Sequence, residues 1–519
     1  MQKIPGILFM ALITISVISC TKNEETVNPQ GGIVLTGELV ERTALIDLPL
    51  GDPYTKEKVD ELVKTSMETK GVFKWNDEDF KITWSAIQYG DHSVAVGYKP
   101  ANAGNIDDII HKIDLSRGAW KEVHDGIINL VIQSLREGNP EAADIENLII
   151  EDDPTLPIIT FKMTDKATLT KLRNLENVRY IEPLDYWYGD NAARSTSGCS
   201  ASSYGLNAED YSSTTPSCLL PWNYNNVNIS GSWNSPAGAG ITIGVIDAGL
   251  SSSQPLLGSM FNDGDSNVGR TITTDKTWGN SAYSTCTHGT SMSGLAAGPR
   301  NAQGATTGVA YKSSLHFIRG CEDVVLDKSS ERTGVKNALV KMGDKPEVKI
   351  VSMSIGTPFY SSVLEDGVNY AYNKGKMLMA AAGTSFGWTS WWGVVYPAAF
   401  WKCIAITGVK ENYNTCSSCH DGSAVDFTIT MERSNNSSRN SLSLPTSGVA
   451  PTYIGGSSSA TAIAAGIAAN VWSINPNFTR AQVYNYLLTT SQYYPSPSSS
   501  KGYGNLNAGA AVAAAQAPI

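Results

Sequence analysis

Long apolar runs are missing from this chain of 519 residues. Past the N-terminus, no stretch reaches the roughly eighteen residues that a membrane-crossing helix needs. A basic surplus is missing too. There are 39 Lys and Arg against 49 Asp and Glu, a net charge of −10, so the cationic field that nucleic-acid binding uses is absent. Charged residues make up only 17% of the chain, which argues against a helical bundle, while 41% hydrophobic residues suffice for a packed core. Cysteine does not occur between residues 21 and 198, and histidine totals 6. Nucleophiles and bases are few, so the settings of those present carry weight.

What is present points to export. The chain has 47 Gly and 23 Pro, as loop-rich secreted proteins do. Its length suggests two or three domains. Charge is uneven, with −12 in residues 1–190 and +2 in 191–519. Lys3 followed by an apolar stretch from Ile4 to Val17 reads as an export signal over residues 1–20. It ends in Val17-Ile18-Ser19-Cys20, which resembles a bacterial lipobox, and this implies a lipid on Cys20. Thr21-Lys22-Asn23-Glu24-Glu25 resembles the tracts that send some Gram-negative lipoproteins to the surface. The expected location is the outer membrane or cell surface, with the lipid as membrane anchor.

Residues 21–79 are expected to be a tether and extension, and 80–190 a small α/β domain. Strands are expected at Ser93–Tyr98, Leu156–Met163 and Val178–Ile181, and helices at Ile106–Ile113 and Ile127–Leu135. A third helix follows Thr164 or Asp165 as its cap. Residues 191–219 are Ser-, Thr- and Asn-rich and read as a linker. Beyond it, 220–519 forms one large domain. Its apolar runs Ile241–Ile246, Leu315–Ile318, Val348–Met353, Met377–Ala382 and Cys403–Val409 are nearly continuous, as strands buried on both faces are. Helical stretches alternate with them, predicting a doubly wound, mainly parallel α/β sheet. Its chemistry belongs at the carboxyl ends of the strands.

Three residues meet that condition. Asp247 closes the run Ile243-Gly244-Val245-Ile246-Asp247, where a carboxylate needs a partner. His288 opens His288-Gly289-Thr290-Ser291-Met292-Ser293-Gly294, a small-residue helix start. Ser458 lies between a Gly turn and an Ala-rich helix, where free amides can hold an oxyanion. Taken singly, each also reads as a turn or cap residue. Together, in the order Asp, His, Ser, they resemble the subtilisin family of serine endopeptidases. Further stretches carry the resemblance: Gly308-Val309-Ala310, Ser352-Met353-Ser354-Ile355-Gly356, Tyr396-Pro397-Ala398 and Gly456–Gly466.

The resemblance implies that Asp247 orients His288, that His288 is general base and acid, and that Ser458 is the nucleophile. It implies protein or peptide substrates and no catalytic cofactor. Ser354, Ile355 and Gly356 would pair with extended substrate, while Ala381, Ala382 and Gly383 would form the opposite wall. Thr384 stands where the family usually has the oxyanion Asn, and Ala462 replaces a usual Pro. Trp388, Trp391 and Trp392 would border the pocket and favour apolar or aromatic side chains. Calcium often stabilises this family, yet no compact acidic cluster marks a site here. Residues 80–186 resemble the family's inhibitory propeptide, a partner cut away by the enzyme itself. The expected cut lies between Asp190 and Ser197. The opposed charges are too weak for attraction, so docking is expected to rest on packing.

Two other readings stay open. A silent binding protein on the same fold is motivated by Thr384. A c-type haem protein is motivated by Cys416-Ser417-Ser418-Cys419-His420, for which a disulfide is the simpler account. Gly383-Thr384-Ser385-Phe386-Gly387 also matches a hydrolase elbow, but no helix is expected after it. Cys199 with Cys218, and Cys286 with Cys321, are candidate neighbours whose pairing the sequence leaves open.

Overall fold

The computed structural model describes residues 34–138, 145–189, 199, 205–385 and 393–517. The export signal, Cys20, the expected cut at 190–197 and Trp388, Trp391 and Trp392 lie outside the described residues.

The N-terminal unit contains α1 (Lys56–Lys70), α2 (Phe80–Ile87), β1 (Ser93–Tyr98), α3 (Gly118–Gly138), α4 (Ile145–Leu148), β2 (Ile149–Asp152), β3 (Ile158–Lys162), α5 (Lys166–Arg173) and β4 (Val178–Pro183). Its strands form an antiparallel sheet in the order β2-β3-β1-β4. Asp165 caps α5 by accepting the Thr168 N–H. Within the expected tether and extension over 21–79, the described residues are packed rather than free. Val59, Val63, Phe73 and Trp75 pack with Ile82, Ala86 and Tyr186. Earlier still, Val40 N–H donates to the buried Asn177 side chain at 2.8 Å. The expected helix at Ile106–Ile113 shrinks to the three-residue turn Ile110–Lys112. Asn105 captures the Asp107 N–H and competes with a helical start.

The larger unit begins with a hairpin of β5 (Tyr211–Thr214) and β6 (Cys218–Pro221). These residues were expected to be linker. They are fixed because the fully buried Asp210 receives Arg433, Arg439 and Tyr453. There follow α6 (Ile229–Ser232), β7 (Thr242–Asp247), β8 (Ile272–Lys276), α7 (His288–Ala297), β9 (Ser314–Arg319), α8 (Ser329–Gly343), β10 (Val348–Met353), α9 (Ser362–Asn373), β11 (Met377–Ala381) and β12 (Cys403–Lys410). The chain ends with β13 (Phe427–Arg433), β14 (Asn436–Ser443), β15 (Thr452–Ile454), α10 (Gly456–Trp472), α11 (Arg480–Thr489) and α12 (Ala508–Gln516).

Nine strands form one sheet, ordered β15-β14-β13-β12-β11-β10-β7-β9-β8. From β8 to β13 every neighbouring pair is parallel. Alternate residues feed opposite faces. Ile350 joins the core under α7 and α10, while Val351 joins the core under α8 and α9. Helix α10 is apolar all round and buried along nearly its whole length, as a helix threaded through a core must be. Strand β7 is where the order reverses, since the chain runs from it to β8 and β9 on one side and to β10 on the other. A crevice opens at the carboxyl ends of strands at such a point.

The N-terminal unit sits on α8 and α9. Val363 and Tyr370 of α9 share its hydrophobic core. Packing was expected to carry most of this contact; ion pairs cross it as well, in both polarities. Arg179 makes a bidentate pair with Asp366 at 2.9 and 2.7 Å. Lys336, almost wholly buried, meets Asp153 and Glu151. Net charge misses such pairs because it averages over the whole surface.

Candidate active site

Asp247 ends β7 at the switch point and is fully buried. His288 opens α7, and its Nδ1 lies 2.9 and 3.0 Å from the two Asp247 carboxylate oxygens. The Ala248 N–H donates to the same carboxylate at 2.8 Å. Gly289 permits this closeness: a Cβ there would come within 2.6 Å of the Phe317 ring and 2.7 Å of the Gly249 carbonyl. His288 is only 6% exposed. Burial pulls its pKa down. The charge and hydrogen bond of Asp247 outweigh that, and the imidazole lies above the usual histidine value. Nδ1 is thereby committed to Asp247, leaving Nε2 as the working nitrogen.

Ser458 lies in the first turn of α10, where amides have no intrahelical acceptor. Its hydroxyl donates to the Ser354 carbonyl at 3.4 Å, and the Ser354 hydroxyl donates back to the Ser458 carbonyl at 3.0 Å. The nucleophile candidate is thus turned to the β10 end rather than hydrogen-bonded to His288. Thr384 sits beside it. Its Oγ1 accepts the Ser457 N–H at 3.2 Å and lies 3.1 Å from Ser457 Oγ, which accepts the Gly383 N–H. Gly456 has φ +75°, and a Cβ there would meet Thr384 Oγ1 at 2.6 Å. Ser457, which sequence reading passed over as part of the motif, is therefore the organiser of this corner.

Ser354, Ile355, Gly356, Ala381, Gly383, Thr384 and Ser458 line one cleft, with Val324, Val325, Val395 and His420. Two expectations are corrected. Ala382 does not line it: it is fully buried, and its carbonyl takes the Val395 N–H. The Gly356 edge is not free, because its N–H and carbonyl bond Val324 and Leu326.

The elbow serine also has a partner. Ser385 Oγ lies 3.0 Å from His420 Nε2, and His420 Nδ1 lies 3.0 Å from the Gly393 carbonyl. Nδ1 must carry the proton, since a carbonyl only accepts. Among the described residues no carboxylate hydrogen-bonds this pair, and burial lowers the His420 pKa against the Gly393 carbonyl and the charge of Asp421. His316, buried in β9, bonds Thr273 at 2.7 Å.

The disulfides are Cys199–Cys286 and Cys416–Cys419. Cys218, Cys321 and Cys403 are buried thiols. Both thiols of the haem-like motif are spent on a disulfide, and its histidine on Ser385 and Gly393, which removes that reading. Among the described residues, Cys199, Cys286 and Asp323 are the one cluster with metal-ligand spacing, and its sulfurs are bonded to each other.

Residues 238–505 match the model of the subtilase family. Thermitase of Thermoactinomyces vulgaris is 33% identical over 196 residues, covering 37% of this chain and 64% of that protein. A thermostable alkaline protease of Halalkalibacterium halodurans is 27% identical over 377 residues, covering 70% of this chain and 84% of that protein. Among solved structures, MycP1 from Mycobacterium smegmatis aligns with a TM-score of 0.47 at 18% identity, covering 60% of this chain and 88% of that one. The chain belongs to the subtilase family, the subtilisin-like serine peptidases.

Proposed function

We propose that this protein is an exported serine endopeptidase, lipid-anchored through Cys20 at the outer membrane or cell surface, made as a precursor that cuts itself. The observation that carries the catalytic part is the buried Asp247–His288 pair at the switch point, with Ser458 on the adjoining helix start. In this reading His288 Nε2 takes the Ser458 proton as Oγ attacks the peptide carbonyl. Asp247 holds the tautomer and stabilises the imidazolium. The proton then passes to the leaving amine, and water releases the acyl group by the same path. The Ser458 N–H and the Thr384 hydroxyl face the developing oxyanion. Thr384 is free to donate when Ser457 O–H points to Thr384 Oγ1. Substrate is protein or peptide, and the N-terminal unit is the inhibitory partner.

A fluorophosphonate probe tests this. Labelling is expected at Ser458 and lost in Ser458→Ala and His288→Ala. A specific observation favours a second reading, a silent binding protein: the Ser458 hydroxyl rests on Ser354 and not on His288. Absence of labelling in the folded, processed protein would establish that alternative.

A further inference from the structure

The cleft beside Ser458 has two walls. One is Ser354–Gly356, after β10. The other is the loop between β9 and α8, residues 320–328. The walls are bonded to each other: Gly356 N–H donates to the Val324 carbonyl at 2.8 Å, and Leu326 N–H donates to the Gly356 carbonyl at 2.9 Å. Val325 and Gly356 form a parallel bridge. A peptide adding a strand to Gly356 needs these same two groups. Paired strands stand about 4.8 Å apart, and a strand held between two others needs about twice that spacing. No extended backbone fits between the walls as they stand.

We propose that residues 323–326 are a gate that must part from Gly356 before a peptide can reach Ser458, and that Glu331 is the positioning residue that holds the gate. This rests on the serine endopeptidase reading above. Glu331 is 1% exposed and lies in the first turn of α8. Its carboxylate accepts the N–H groups of Glu322 at 2.9 Å, Asp323 at 3.1 Å and Lys328 at 3.1 Å. Three amides of one loop converge on one buried carboxylate, so the loop has little freedom while that carboxylate stays in place. The gate's inner side chains, Val324 and Leu326, are buried. One outer tie reinforces it: Asp185 of the N-terminal unit accepts the Ser329 N–H at 2.8 Å. Opening exchanges the two backbone bonds for equivalent ones to substrate. The uncompensated cost is withdrawal of Val324 and Leu326 from the core.

Stopped-flow binding of several tetrapeptide aldehydes to the processed protein tests the gate, with fluorophosphonate labelling as reference. The aldehydes need the strand position and the small probe does not. The expected result is a binding rate that saturates with aldehyde concentration at one plateau shared by all sequences, while labelling rises linearly. In Glu331→Gln the ratio of plateau to labelling rate should rise about tenfold, the worth of one charge-assisted hydrogen bond. Val324→Ala, a milder change, should raise the ratio in the same direction. A peptide rate linear throughout, plateaus that differ between peptides, or an unchanged ratio in both variants would overturn the gate. Absence of labelling in the processed protein carrying no substitution would overturn the endopeptidase reading itself, and the gate with it.

Discussion

His288 carries two opposed influences, and their balance sets a measurable quantity. Desolvation favours the neutral ring, and Asp247 favours the charged one and wins. A base must be neutral to accept a proton, so kcat/KM should rise with pH through a midpoint above about 6.5. Asp247→Asn removes the charge that raises the midpoint. It should move the midpoint down and lower turnover by about 10⁴, since the ring then loses its fixed tautomer. A pH profile of both proteins checks this, and an unmoved midpoint would detach Asp247 from the base. Thr384 permits a second test. Thr384→Val keeps shape and removes the hydroxyl. Turnover should fall by about 10²–10³ with KM little changed, the worth of a single oxyanion donor in subtilisin, a relative. If turnover is kept, the Ser458 N–H acts without Thr384. The placement of Asp247 at a strand end and of His288 and Ser458 at small-residue helix starts was legible from local sequence. Ser457 was not. Its partner Thr384 lies 73 residues away, and no local pattern announces a pairing across that distance.

Elements were legible in proportion to their burial. Strands β7, β10, β11 and β12 are continuous apolar runs because both faces are covered. Strands β8 and β14, Ile-Thr-Thr-Asp-Lys and Asn-Ser-Ser-Arg-Asn-Ser-Leu-Ser, went unread. The first is an edge strand and the second hangs antiparallel at the far end, so neither needs an apolar signature. The start of α9 yields an element-scale prediction. Glu182 of β4 accepts the Ser361 hydroxyl and the Ser362 N–H at 2.7 Å, supplying the anion that a helix start favours. Burial raises its pKa, against the opposing charge of Arg332 and the hydrogen bonds from Ser361 and Ser362. A carboxyl whose docked pKa is raised favours docking most at low pH, below its free value. That contribution fades as pH rises through the docked value. The isolated N-terminal unit, if it folds alone, should therefore bind the catalytic unit more tightly near pH 4.5 than near pH 7. Glu182→Gln should flatten the trend in a binding titration. A trend of opposite sign would detach Glu182 from the pH dependence of docking.

At the scale of the whole molecule, the proposed lipid on Cys20 and the proposed catalytic residues lie on opposite sides of the proposed cut. Cutting between 190 and 197 leaves Cys199 with the catalytic unit, where the bond to Cys286 pins the new N-terminal segment near the gate. What then connects the anchor to the enzyme is the docked surface alone. Arg179 is a bidentate tie there: Asp366 is nearly fully buried and accepts both of its terminal nitrogens and the Tyr180 hydroxyl. Removing one member of such a pair strands the other charge, a loss of about 3–5 kcal/mol. Cells making the unmodified protein should hold both pieces in the membrane fraction. Arg179→Leu should release the catalytic piece into the medium while the N-terminal piece stays bound. Ser458→Ala should remain one uncut chain in the membrane. If Ser458→Ala loses its N-terminal unit at the same place when purified alone, the cut belongs to another protease. If the Arg179→Leu catalytic piece stays on the membrane after cutting, the anchor does not act through this surface.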